Sequence, residues 1–220
     1  MQIGDPLGDG WAIYKRFWRH LLPIAFVVSV VVSLAALALS AAGGSFAVLA
    51  SLLVSVVGIF LITATLTEAV ADVRDGRVDL TLGETLARAW PRLGTVVAVS
   101  VIAGIAIAVG LVVFIVPGAW LITIWSVAVP AAVLEKTGVF DSLGRSRALV
   151  RGYGWTVFGV IVATYLVDVV ASIVLGLVLN GLSDGVAHYL GNIISTTAIA
   201  PFVAATWTSM YFRLRDEHAA

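Results

Sequence analysis

The sequence predicts an all-α fold: an integral membrane bundle of six transmembrane helices in a single domain over residues 1–220. Of its residues 60% are hydrophobic and only 12% are charged, with a mean hydropathy of +1.06. Soluble domains are about 45–50% apolar and about 25% charged, so this chain lacks the polar surface that a soluble globule needs. Its charge-free stretches do not alternate in polarity like barrel strands, and backbone amides in hydrocarbon are satisfied within helices.

The spans follow from long charge-free stretches and from the turn residues within them. Residues 21–67 carry no charge and are long enough for two spans of about 20 residues, with Gly43-Gly44 as the turn. Residues 93–134 are also charge-free, and Pro117-Gly118 is predicted to divide them. Pro201 predicts a kink in the last span. The approximate spans are 21–42, 46–67, 93–115, 119–134, 155–179 and 189–212.

The basic residues predict the orientation of these spans. All 13 lie before spans one, three and five or after span six, and the turns at Gly43-Gly44, Pro117-Gly118 and 180–188 have none. Cytoplasmic segments retain Lys and Arg, so we expect both termini in the cytoplasm. Five charged residues within positions 1–20 also argue against a signal peptide. The basic residues are Lys15, Arg16, Arg19, Arg74, Arg77, Arg88, Arg92, Lys136, Arg145, Arg147, Arg151, Arg213 and Arg215.

Three similar stretches precede the odd-numbered spans. They are Leu7-Gly8-Asp9-Gly10, Leu82-Gly83-Glu84-Thr85 and Leu143-Gly144-Arg145-Ser146, each followed by a basic segment and two spans. We therefore predict three degenerate repeats of an interfacial helix plus a helical hairpin. The second interfacial helix is the clearest, because Thr81 and Glu84 match a capping box at its start.

Residues 130–158, PAAVLEKTGVFDSLGRSRALVRGYGWTVF, carry a family signature. The stretch resembles the glycerophosphoryl diester phosphodiesterase membrane-domain-like family of bacteria. Ser142 and Arg147 depart from its usual alanine and bulky residue. The matching positions are Pro130, Glu135, Gly138, Leu143, Arg145, Ser146, Leu149, Arg151, Gly152 and Trp155.

The resemblance implies a membrane fold in the bacterial cytoplasmic (inner) membrane. In the full-length enzymes of that family, a soluble catalytic domain follows the membrane part. This sequence ends at Ala220, so we expect only the membrane part here, with the catalytic domain absent. The resemblance therefore does not imply the enzyme activity.

Asp168 is the candidate intramembrane polar site, because it is the one carboxylate deep within a predicted span. A charge there costs about 2.5–3.5 kcal/mol on insertion scales. One interpretation is an ion or proton relay or a polar ligand contact. The other is a structural hydrogen bond to the hydroxyl-bearing residues of span six. These residues are Ser195, Thr196, Thr197, Thr206 and Thr208.

Arg145, Arg147 and Arg151 are candidate lipid-phosphate contacts, because a guanidinium group binds phosphate with two parallel hydrogen bonds. The alternative is that they are ordinary cytoplasmic anchors, each worth about 1 kcal/mol near anionic lipid.

Other site classes find little support in the sequence. With no cysteine, thiolate catalysis and the common zinc sites are excluded, and His20, His188 and His218 lack metal-ligand spacing. We therefore expect no metal and no cofactor. A formal net charge of +0 argues against a nucleic-acid partner.

These observations favour a non-enzymatic membrane protein that acts as a scaffold, a lipid-binding module or an accessory module. Its expected partners are membrane lipids, with a partner membrane protein as a further candidate. The alternative is a small transporter or lipid-translocating protein that uses Asp168, with Pro130 and Pro201 as kinks. A third hypothesis, an intramembrane enzyme acting on lipid phosphodiesters, would need an acid–base pair that the sequence does not show.

Overall fold

The computed structural model describes residues 2–179 and 184–218, and this part of the chain is mainly α-helical, with short connecting segments and no strand. Short 3₁₀ turns follow α2 at Val73–Asp75 and α3 at Trp90–Arg92. The helices of the described part are α1 (Gly4–Ala41), α2 (Gly44–Asp72), α3 (Leu82–Ala89), α4 (Leu93–Val113), α5 (Ile115–Ile124), α6 (Ala128–Leu134), α7 (Val139–Val150), α8 (Gly154–Leu179) and α9 (Asp184–Glu217).

Six helical segments of the described part are long and apolar enough to cross a bilayer, which confirms the predicted number of spans. The spans lie in α1, α2, α4, the α5–α6 pair, α8 and α9. The predicted turn between spans five and six begins at residues 180–183, which lie outside the described residues, and α9 has already begun at Asp184. The kink at Pro201, inside α9, stays a prediction.

The first predicted turn is confirmed. Gly43 and Gly44 have φ angles of 74° and 82°, in the left-handed region that glycine adopts without a Cβ clash. This lets the chain reverse between α1 and α2 without a longer loop.

The second predicted turn is wrong by three residues. α4 ends at Val113, and a single extended residue, Phe114, separates it from α5. Pro117 lies in the first turn of α5, where its missing N–H removes no helical hydrogen bond. Gly118 is buried against α4, and an added Cβ would collide with the side chain of Leu111. Pro117 therefore lies at the start of a helix, and Gly118 allows that helix to pack closely against α4. Neither residue forms the turn.

The fourth span is not the single helix that the sequence predicted over 119–134. It is interrupted at residues 125–127, between α5 and α6. The hydroxyl group of Ser146 in α7 donates to the Ile124 carbonyl oxygen at 2.8 Å and accepts from the Val127 N–H at 3.2 Å. Because a neighbouring side chain satisfies backbone groups at the break, the interruption is tolerated in an apolar environment.

A helical segment precedes each odd-numbered span, as predicted. The first is continuous with span one but kinked at Phe17, whose φ and ψ are −114° and 18°. The second is α3, whose capping box is confirmed by hydrogen bonds in both directions between Thr81 and Glu84. The third is α7. The threefold repeat itself stays a prediction.

The largest buried cluster joins α1, α2 and α9. Its buried members include Leu21 and Ile24 of α1, Leu66 of α2 and Ala205 of α9. Gly10 of α1 packs directly against Thr206 of α9, because an added Cβ on Gly10 would lie 2.8 Å from the Thr206 Cα. The first and last helices are therefore direct neighbours along much of their length.

Candidate functional site

One end of the bundle gathers the ion pairs that connect distant parts of the chain. Arg213 near the end of α9 pairs with Asp9 of α1, with an Nη2–Oδ1 distance of 3.0 Å and an Nε–Oδ2 distance of 2.5 Å. Arg74, which follows α2, pairs with Asp216 at 3.0 Å. These contacts place both chain ends and the segment between spans two and three at the same end of the bundle.

The same end holds a second polar group, formed by α6, α7 and α9. The Arg145 Nε lies 2.8 Å from Oε1 and 3.1 Å from Oε2 of Glu135. The hydroxyl group of Tyr211, a residue with no exposed surface, donates to the same Oε1 at 2.7 Å. Glu135 is thus the acceptor that joins three helices.

This arrangement bears on the predicted lipid contacts. Arg145 is engaged by a protein carboxylate, so a lipid phosphate would have to compete with Glu135 for it. Arg147 and Arg151 are exposed, on the outside of α7 and directly after it. The guanidinium carbon of Arg147 lies 5.9 Å from the centre of the Trp120 ring, within range of a cation–π interaction. The three arginines therefore do not form one site, and two of them face outward.

Asp168 lies in α8 and is half-buried. Within the described part of the chain, its carboxylate makes no side-chain hydrogen bond or ion pair. Of the partners proposed on span six, Thr197 is within 3.3 Å of the Ser29 hydroxyl group in α1, and Thr206 is packed against Gly10. These two hydroxyl groups are therefore not bonded to Asp168, and the role of Asp168 stays a prediction.

An apolar groove of about 400 Å³ opens beside Asp168, between α1, α8 and α9. Val167 lines it, whereas Asp168 does not. We call this feature the α1–α8–α9 groove, and its lining residues are Leu7, Trp11, Tyr14, Val167, Ala198, Ile199 and Phe202.

Sequence reasoning missed two contributors to these sites. Sequence reasoning did not single out Tyr211, although it is fully buried and bonded to Glu135. Ser146 was noted only as a motif match, although it holds the α5–α6 break together. The motif match was the available signal for Ser146, whereas no pattern indicated Tyr211.

The electrostatics at this end are set by local hydrogen bonds. The Tyr153 hydroxyl group, between α7 and α8, donates to Glu217 at 2.9 Å, and this bond raises the pKa of Tyr153. At the start of α3, hydrogen bonds from the Thr81 N–H and hydroxyl group lower the pKa of Glu84.

Among the described residues, no group of three or more His, Cys, Asp or Glu side chains could hold a metal ion.

Comparisons with known proteins identify neither a family nor a function for this chain. No family model matches the chain, and no curated protein or solved structure is significantly similar to it.

Proposed function

We propose that this chain is a non-enzymatic module of the bacterial cytoplasmic membrane that binds lipid and serves as a scaffold or accessory protein. Both termini and the four basic segments would lie in the cytoplasm. The observation that carries the proposal is that the three arginines in α7 and directly after it have different surroundings. Arg145 is paired with Glu135, whereas Arg147 and Arg151 are exposed and have no carboxylate partner among the described residues.

The exposed pair suits anionic lipid headgroups. Guanidinium groups form paired hydrogen bonds with phosphate oxygens, and Arg147 is accompanied by Trp120, a residue type enriched at membrane interfaces. The side chains around them offer lipid an apolar surface, since Trp120 is 52% exposed. An inward-facing pair would instead have indicated a role inside the bundle.

The proposal is tested by the retention of anionic lipid on the purified full-length protein. Native mass spectrometry would count phosphatidylglycerol and phosphatidylcholine molecules bound to the wild type and to an Arg147→Gln, Arg151→Gln variant. At about 1 kcal/mol for each arginine, we expect phosphatidylglycerol affinity to fall about tenfold or more. Arg19→Gln is the matched control, because Arg19 also lies over a tryptophan ring, that of Trp18. Unchanged retention in the double variant would contradict the lipid contacts.

The family resemblance is also a proposal, supported by the contacts of its motif residues. Glu135 and Arg145 bond to each other, and Ser146 bonds to the α5–α6 break. These roles hold α6 and α7 together, and they fit a structural signature better than a catalytic one.

Transport through Asp168 is the second candidate function. Its support is the half-buried carboxylate without a partner in the described part of the chain. A carboxylate in a span is expected to be compensated, so an uncompensated one favours contact with a moving ion or a polar ligand.

A further inference from the structure

We propose that the α1–α8–α9 groove holds one acyl chain of a phospholipid whose phosphate is bound by Lys15. This inference rests on the proposed lipid-binding function and adds a second site, separate from Arg147 and Arg151. The occupant is a lipid of the surrounding bilayer, of the leaflet that faces Lys15.

The shape and lining of the groove fit a hydrocarbon chain. Its volume of about 400 Å³ lies within the range of about 300–1,000 Å³ that is usual for ligand pockets. Aliphatic side chains of α1, α8 and α9 line it together with aromatic side chains of α1 and α9. Apart from the polar atoms of Trp11 and Tyr14, the lining side chains are hydrocarbon and favour an alkyl chain over water.

Three aromatic rings that contact one another form the part of the groove wall next to α1. Trp11 and Tyr14 are stacked, with ring centres 5.7 Å apart and planes 15° apart. Phe202 of α9 meets both rings edge-on, with centres 6.1 Å from Trp11 and 6.5 Å from Tyr14. Since each ring is held by the other two, the groove is a formed feature and not a chance gap between mobile side chains.

Two polar groups adjoin the aromatic part of the groove wall. The Lys15 ammonium group is 5.7 Å from the centre of the Trp11 ring, and Lys15 is exposed. The Tyr14 hydroxyl group makes no hydrogen bond with the described residues, so it remains available as a second donor. A cation and a neutral donor beside an apolar trough match the two parts of an anionic phospholipid.

The direction of the groove also fits the path of an acyl chain in one leaflet of the bilayer. From Phe202 it continues along α9 to Ala198, away from the ion-paired Arg213. At 1.5 Å per residue, Ala198 lies about 22 Å along the helix from Arg213, which is comparable with the depth of one leaflet. An acyl chain that starts at Lys15 would therefore run toward the middle of the bilayer.

The two parts of the site contribute differently. Because lipid tails already surround the protein, an acyl chain that enters the groove gains only packing contacts. The groove therefore determines where the acyl chain lies. The charge of Lys15 distinguishes anionic from zwitterionic lipid, by about 1 kcal/mol or about fivefold in affinity. The charge and the trough can therefore be tested separately.

The experiment is native mass spectrometry of the full-length protein titrated with phosphatidylglycerol and with phosphatidylcholine. Ala198→Phe fills the groove from an exposed position, and Ala108→Phe, on the exposed face of α4, is its matched control. We expect Ala198→Phe to lose one bound molecule of either lipid and Ala108→Phe to lose none. Lys15→Gln should weaken phosphatidylglycerol about fivefold and leave phosphatidylcholine unchanged, and Lys15→Arg should retain the preference. Circular dichroism and size-exclusion chromatography would confirm that each variant is folded.

The outcomes separate this site from the proposed function. If the groove variants behave like wild type while the Arg147→Gln, Arg151→Gln variant loses anionic lipid, the groove proposal is overturned and the proposed function stands. If no variant changes retention, both are overturned. A loss confined to Ala198→Phe and Lys15→Gln supports the groove and contradicts the arginine contacts.

Discussion

The hydroxyl group of Ser146 donates a hydrogen bond to the backbone carbonyl oxygen of Ile124, 2.8 Å away on another helix. The hydroxyl oxygen of Ser146 also accepts a hydrogen bond from the Val127 N–H, so one side chain satisfies both sides of the α5–α6 break. The break therefore depends on α7 being in place. A hydroxyl group at this position couples α7 to the fourth span.

Replacing Ser146 by alanine should destabilise the protein. The Ile124 carbonyl and the Val127 N–H would be left unpaired in a buried region, at a cost of about 1–3 kcal/mol. Ser51→Ala is the control, because Ser51 is half-buried and bonds only within its own helix, to Val48. Denaturant unfolding in detergent would measure both. Equal stability of the two variants would show that Ser146 does not hold the break.

Tyr211→Phe tests the link from α9 to Glu135. The change removes one hydrogen bond to a carboxylate and keeps the ring, so we expect a loss of about 1.5–3 kcal/mol in the free energy of unfolding. Tyr165→Phe on the exposed side of α8 should change little, since Tyr165 is 67% exposed. Thermal melts of the two variants, compared in one detergent, provide the measurement. A drop shared by both would mean that the Glu135 contact is not the cause.

Gly10→Ala should weaken the contact between α1 and α9. The new Cβ would overlap the backbone of Thr206, and overpacking of this kind costs about 1–3 kcal/mol. Gly8→Ala, two residues earlier, meets no atom within 4 Å and should stabilise the helix by about 0.5–1 kcal/mol. The opposite signs make the pair informative in unfolding experiments. Stabilisation by both substitutions would mean that the helices are not in contact at Gly10.

The capping box of α3 should make stability depend on pH. Hydrogen bonds from Thr81 lower the folded-state pKa of Glu84 below its ordinary value, so the ionised form stabilises the fold. That contribution is present above about pH 4.3, the ordinary pKa of glutamate, and is lost as the pH falls through the lower folded-state pKa. Thermal melts from pH 7 to pH 3 should show a smaller decrease for Glu84→Gln than for wild type. Parallel curves for the two proteins would refute the cap's contribution.

The transport alternative predicts that Asp168→Asn abolishes flux. Asparagine keeps the size of aspartate but loses the charge and the titratable proton that a relay needs. Ion and proton flux would be followed with dyes in proteoliposomes of wild type and variant. A Val167→Ala variant serves as a neighbouring control, since Val167 faces the groove. Flux that is equal in the wild type, in Asp168→Asn and in empty vesicles would remove the support for transport.

Composition and charge placement were enough to predict the helical fold and its six spans, because the hydrocarbon core imposes a length and forbids charges. Local chemistry was enough for the Gly43-Gly44 turn and for the capping box at Thr81. The turn at Phe114 was missed because Pro117 and Gly118 fit a helix start and a close packing contact equally well. The polar group at Glu135 depends on which helices meet, and Tyr211 lies far from it in sequence. Periodicity does not carry that information.

The contact between Gly10 and Thr206 joins the two helices that are furthest apart in the order of synthesis. At roughly 5–20 residues per second, the ribosome needs roughly 10–40 s after making Gly10 before Thr206 emerges. Throughout that interval the face of α1 that receives α9 lacks its permanent partner. Completion of the bundle is therefore a late event in biogenesis, and a stalled nascent chain would hold α1 without its permanent neighbour.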